Sequence, residues 1–205
     1  MTSPARRLEK VERPPVALRD RAMDNLRFIR ETMERSASFT HVSGLGGMAM
    51  GVVALVAAVL AAGMTAPLAW LATWLGAAAV SFAVSALMMA RKSRAEGVPL
   101  LSGPGRRFAW SMTPPLAAGA VLTAALARAG LYGLLPGTWL LLYGASIVTG
   151  GSYSVLPVPV MGVAFMLAGG AALASPTNWG DAYMAAAFGG LHIVFGLVIW
   201  RKHGG

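Results

Sequence analysis

The sequence predicts an all-α protein: a bundle of six transmembrane helices arranged as three hairpins, preceded by an amphipathic helix on the cytoplasmic side. Three observations predict it. The 205 residues are 56% hydrophobic and only 12% charged, with a mean hydropathy of +0.62, whereas a soluble domain is about one quarter charged. Six apolar runs approach the roughly 20 residues needed to cross about 30 Å of hydrocarbon. The basic residues also fall on one side of those runs. Nine of the 17 Lys and Arg lie in residues 1–44, five in 91–107 and two in 201–205, leaving Arg128 alone opposite them. Positive charge stays in the cytoplasm, so both ends of the chain are expected there.

Residues 1–18 carry Pro4, Pro14 and Pro15 among scattered charge without periodicity and read as a flexible basic tail. Residues 19–44 read as a cytoplasmic helix and its linker. From Asp20 to Arg35, Ala22, Met23, Leu26, Ile29 and Met33 recur at helical spacing, with Arg19, Asp24, Arg27, Arg30, Glu31 and Glu34 on the other face. One helix cannot bury an apolar face alone. Met23, Leu26, Arg27, Ile29, Arg30 and Met33 therefore form a candidate surface for the anionic leaflet, a cytoplasmic protein or a second copy of the chain.

The transmembrane domain is expected over residues 45–200, with a short cytoplasmic tail at 201–205. Its first span runs from about Leu45 to Gly63 and turns at Thr65 and Pro67. The second, Pro67 to Ala90, stops at Arg91, Lys92 and Arg94, and a Gly- and Arg-containing loop follows. The others run from Phe108 to Ala127, Leu131 to Thr149, Ser154 to Ala174 and Ala182 to Trp200. Between the fourth and fifth, the uncharged residues Gly150 to Tyr153 fit either a turn or a re-entrant segment. Trp110, Tyr132, Tyr153, Trp179, Tyr183 and Trp200 fall near span ends, as interfacial aromatics do. The recurrence of Ser111, Pro114 and Gly119 as Ser154, Pro157 and Gly162 leaves open a common origin for the hairpins.

Few residues inside the spans carry chemistry. His192 is the one ionisable residue well inside a span, beside Gly189, Gly190 and Gly196, which makes it a candidate site. Its expected state is a neutral imidazole bonded to a neighbouring helix. Pro114 and Pro115 remove backbone donors about two turns into the third span, and Ser111 or Thr113 is near enough to help the freed carbonyls. With Tyr143, Ser146, Thr149 and His192 they form the candidate polar intramembrane site. Small residues four apart suit close helix packing: Gly47 and Gly51, then Ala77, Ser81 and Ser85, then Ala182, Ala186 and Gly190. Asp181 and Arg128, the charges on the outer side, read as solvated loop residues, with a pair across the mouth of the bundle as the alternative.

Absences narrow the chemistry. With no Cys there are no disulfides, thiolate nucleophiles or cysteine metal sites. No carboxylate or lysine is expected inside a span, no metal, phosphate-loop or dinucleotide motif occurs, and His41 and His203 lie too near the edge to pair with His192 on a haem. No catalytic, cofactor-binding or metal-binding residue is assigned and no cofactor is expected. Topology accounts for the basic charge, so no nucleic-acid partner is expected either.

Over Asp24 to Gly47, the stretch DNLRFIRETMERSASFTHVSGLGG resembles a group of small bacterial membrane proteins that begin with an LRFIRETMERS helix leading into the first span. The resemblance implies a multi-pass protein of the bacterial cytoplasmic (inner) membrane and carries no activity with it. The leading functional expectation is a non-enzymatic anchor, sensor or partner subunit acting through the N-terminal helix. The alternatives are a transporter or channel for a neutral or lipophilic solute, and a membrane enzyme or cofactor carrier centred on His192. The orientation has a direct check, because the chain lacks Cys. A single Cys at Thr177 is expected to react with an impermeant thiol reagent in intact cells, and one at Ser102 only after permeabilisation; the opposite pattern would invert the topology.

Overall fold

The computed structural model describes residues 15–36, 39–97, 99–100 and 103–203. Most of the expected tail, residues 1–14, and Ser102 lie outside the described residues. The chain divides into two compact units, Met1–Ala37 and Ser38–Gly205. The described part of the first is one helix, α1 (Pro15–Ser36). It begins before the expected start at Arg19, at a proline whose fixed φ suits the first helical position. Met23, Leu26, Ile29 and Met33 are all more than half exposed on it.

Among its described residues the second unit holds six helices long and apolar enough to cross a membrane. They are α2 (Gly44–Ala61), α3 (Pro67–Glu96), α4 (Gly103–Arg128), α5 (Leu135–Gly151, entered through a 3₁₀ turn at Tyr132–Leu134), α6 (Pro157–Ala174) and α7 (Thr177–His203). Among the described residues there is no strand, only an isolated bridge between Phe39 and Ser154. The Ser43 hydroxyl starts α2 by accepting from the Gly46 N–H. Gly63 and Gly130 follow α2 and α4 at φ +84° and +74°, a left-handed conformation that glycine takes without steric cost. The Gly150–Tyr153 connection is a turn: the N–H groups of Ser152, Tyr153 and Ser154 donate to the carbonyls of Val148, Gly150 and Gly151.

The packing units are not three consecutive hairpins. α3 lies against α2 and α4 against α5, but α6 packs chiefly on α5 and α7 on α2. Glycine decides these partners. A Cβ built on Gly144 would lie 2.6 Å from the Gly162 carbonyl oxygen and 2.7 Å from the Met166 amide nitrogen, and Gly169 lies equally close to the backbone at Gly137 and Leu141. Across the other seam, a Cβ on Gly51 would meet the Gly189 carbonyl at 2.7 Å, and one on Gly196 the Gly44 carbonyl at 2.8 Å. Within each helix the paired glycines recur every seven residues, so they line one stripe, and the two stripes of each seam run antiparallel. The anticipated stripe of Ala182, Ala186 and Gly190 is not the seam. Ala186 is exposed and a Cβ on Gly190 would meet nothing within 4 Å; Gly189 and Gly196 are the contact residues.

The centre of the bundle is correspondingly dry. Leu135, Leu140, Val158, Phe165, Met184 and Ala187 are buried to within 1%. Only 6% of the apolar windows of α3 and α4 is buried, against 28–44% in the other four helices. Phe82, Val121 and, on α6, Leu167 point outward and are at least two-thirds exposed, a surface suited to hydrocarbon and costly in water.

At the end where Lys92 joins Val42 and His203, the structure revises one expectation. Lys92 is expected as a flanking charge beyond the second span, but α3 continues to Glu96 and Lys92 is only 6% exposed. Its ammonium donates to the carbonyls of His203 (2.8 Å) and Val42 (3.4 Å). A cation there complements the negative carbonyl end of α7. Glu96 completes the arrangement, with one carboxylate oxygen 4.0 Å from Lys92 Nζ and the other 3.2 Å from His41 Nε2.

Candidate site around His192

His192 sits in α7 directly after a seven-residue π-helical stretch, Ala185–Leu191. Such stretches are rare and concentrate at functional sites. At its end the His192 backbone N–H donates to the Gly189 carbonyl, three residues back. The Phe188 carbonyl is met by the imidazole, with His192 Nδ1 at 2.9 Å. A carbonyl only accepts, so Nδ1 carries the proton. The other ring nitrogen, Nε2, is then an acceptor, and it lies 2.7 Å from the Tyr143 hydroxyl of α5, which donates to it. In this arrangement both ring nitrogens are satisfied.

Aromatic rings close around this pair. Tyr143 packs edge-on against Phe165 and Phe188, with centroids 4.9 and 5.1 Å away, and Phe165 meets the imidazole edge-on at 5.1 Å. Phe165 is fully buried and His192 is 3% exposed. The result is a polar bond in an apolar box joining α5, α6 and α7. Its geometry suits a cross-link, since the imidazole has no nitrogen left for a substrate or metal and the walls are hydrocarbon.

The other expected site residues lie elsewhere on α5. Thr149 Oγ1 is 2.8 Å from the Ser111 carbonyl, the acceptor that loses its helical donor because Pro115 has no N–H. Ser146, also fully buried, donates to the Met112 carbonyl at 3.0 Å. The repair expected from Ser111 or Thr113 therefore comes from the next helix, while Thr113 Oγ1 bonds to Ala109 of its own helix. α4 runs through Pro114 and Pro115 as one helix. Tyr143 and His192 form one place, and Ser146, Thr149, Pro114 and Pro115 another, the join between α4 and α5.

Asp181 takes neither of its expected states. It makes no pair with Arg128; its Oδ1 accepts from the indole N–H groups of Trp70 (2.8 Å) and Trp74 (3.2 Å) on α3. Trp70 in turn stacks on Trp139, centroids 5.6 Å apart, and Trp139 donates to the Thr123 hydroxyl. The sequence carried a signal for this: Trp70 and Trp74 stand four apart, on one face of the second span. The serines of the apparent repeat also differ in role: Ser111 offers its carbonyl to Thr149, whereas the Ser154 hydroxyl donates to the Phe39 carbonyl. Comparison with known protein families, curated proteins and solved structures finds no match to this chain.

Proposed function

We propose that this is a non-enzymatic, multi-pass protein of the bacterial cytoplasmic membrane, in which the six-helix bundle is the anchor and α1 docks a helical protein partner in the cytoplasm. The observation that carries the reading is a contrast in unused surface. The buried polar side chains at the centre of the bundle are bonded between helices, as at Tyr143–His192 and Ser146–Met112. α1 instead leaves Leu26, Ile29 and Met33 more than half exposed.

The pattern of α1 favours a helix over the lipid surface as its occupant. Ala22, Leu26, Ile29 and Met33 follow one another at intervals of four, three and four, the narrow stripe of a helix–helix seam. Residues 15–36 carry five Arg against four Asp and Glu, a near-balanced set, whereas adsorption to anionic lipid is driven by basic excess. The bonded state of Ser146 and Thr149 and the closed box around His192 weigh against the solute-path and His192-centred enzyme readings.

The test uses the full-length chain with a C-terminal tag and a variant carrying Leu26→Asp and Ile29→Asp. Mild-detergent pull-downs are expected to recover a defined protein with the former and not with the latter, at equal membrane content. Equal recovery from both would remove α1 from the function. Loss of binding to anionic vesicles without any protein partner would replace the docked helix by the leaflet.

A further inference from the structure

A cavity of about 230 Å³ opens at the Arg128 end of the bundle, where the turn after α2, the 3₁₀ turn before α5 and the start of α7 converge. Its walls include Met64, Trp70, Tyr132, Pro136, Asn178 and Asp181. We propose that it binds a small organic cation, an ammonium or quaternary amine, with the Asp181 carboxylate as counter-ion and Trp70 and Tyr132 as aromatic walls.

Three observations carry this. First, Asp181 is partly buried and bonded to two indoles, which are neutral donors: they orient the carboxylate, and beyond them only the first turn of its own helix offsets the charge. No ion pair reaches it among the described residues, and its place in the wall of an open cavity leaves the carboxylate accessible to a counter-ion. Second, the aromatic wall is held in place in advance. Trp70 is fixed by its bond to Asp181 and by stacking on Trp139, with planes 8° apart, so a ligand would not have to order it. Third, the lining chemistry matches one class of cation. Aromatic faces attract alkylammonium groups through their quadrupole, and Met64, Pro67 and Pro136 offer apolar contact to alkyl carbons. A hard metal ion favours several charged oxygens, whereas this wall sets a single carboxylate beside the neutral side chains of Thr65, Thr177 and Asn178, two aromatic rings and Met64, Pro67 and Pro136. The volume lies below the roughly 300–1,000 Å³ of drug-sized sites, which limits the ligand to a small ion.

The experiment uses the purified full-length protein in detergent, titrated with tetramethylammonium chloride and, separately, with sodium chloride at the same ionic strength. Intrinsic tryptophan fluorescence and thermal stability are read together. The wild type is expected to show a saturable fluorescence change and an upward melting shift with tetramethylammonium only. Asp181→Asn keeps an acceptor for both indoles and so preserves the fold; it is expected to weaken the saturable response at least about tenfold, the factor matching about 1.4 kcal/mol of lost attraction. Tyr132→Leu, which touches neither indole bond, is expected to weaken it less. No saturable response in the wild type, an equal response to sodium, or unchanged affinity in Asp181→Asn would each overturn the proposal.

Discussion

Replacing Gly169 by Ala is expected to disrupt the bundle, while the same change at Gly170, its neighbour, is expected to be neutral or stabilising. A helical Gly→Ala change by itself gains about 1 kcal/mol. At Gly170 nothing lies within 4 Å of the added methyl, so that gain stands. At Gly169 the methyl would lie 2.6 Å from the Leu141 amide nitrogen and 2.9 Å from the Gly137 carbonyl oxygen. These are backbone atoms, and they cannot turn aside as a side chain would. α5 and α6 must separate, which loosens every contact along the seam, including those at Gly144 and Gly162. Overpacking costs about 1–3 kcal/mol where side chains can adjust, and more is expected here. In a protein whose whole stability is of order 5–15 kcal/mol, that is a large share. Melting temperature and monodispersity in detergent check it; a Gly169→Ala protein as stable as Gly170→Ala would dispose of the seam.

The second large effect is expected at His192. His192→Leu removes the acceptor for the Tyr143 hydroxyl and leaves that hydroxyl buried among Phe165 and Phe188. An unsatisfied buried group costs about 1–3 kcal/mol, to which the altered packing of the leucine adds. Tyr143→Phe removes the orphan, so the double variant is expected to be less destabilised than the sum of the singles. The coupling should be of order 0.6 kcal/mol and at most about 1.7 kcal/mol, the average and the maximum found for interhelical hydrogen bonds in bilayers. Strict additivity would mean that the two side chains do not bond. Tyr143→Phe alone, which leaves Nε2 without its donor, should cost less than His192→Leu because it keeps the aromatic packing.

The contrast between these sites shows what was legible in the chain. The spans were legible because hydrocarbon thickness imposes nearly the same apolar length on each, and α2 to α7 start and stop within a few residues of the expected positions, apart from the polar extensions of α3 and α4. Their partners were less legible. The seven-residue spacing of Gly137, Gly144 and Gly151, of Gly162 and Gly169, and of Gly189 and Gly196 is present in the sequence, but 25 glycines supply many rival stripes and spacing does not say which stripe meets which. The site shows the same division. His192 and Tyr143 were both identifiable as rare polar groups. Ser146 and Thr149 stand three and six residues beyond Tyr143 yet face α4 while Tyr143 faces α7; a helix that is apolar all round offers no polarity pattern to separate its faces. The role of Asp181 is not legible in the sequence because its donors come from α3, more than a hundred residues away.

The α2–α7 seam bears on how the protein is made. Gly51 leaves the ribosome roughly 140 residues before its partner Gly189, and at about 5–20 residues per second that interval is roughly 7 to 28 s. During that time the glycine face of the first span has no native mate, and the intervening helices, α3 among them, are its only intramolecular cover. Assembly of this bundle therefore closes with its last span, and a chain stalled before Gly189 leaves the insertion machinery holding a helix whose best contact has not yet been synthesised.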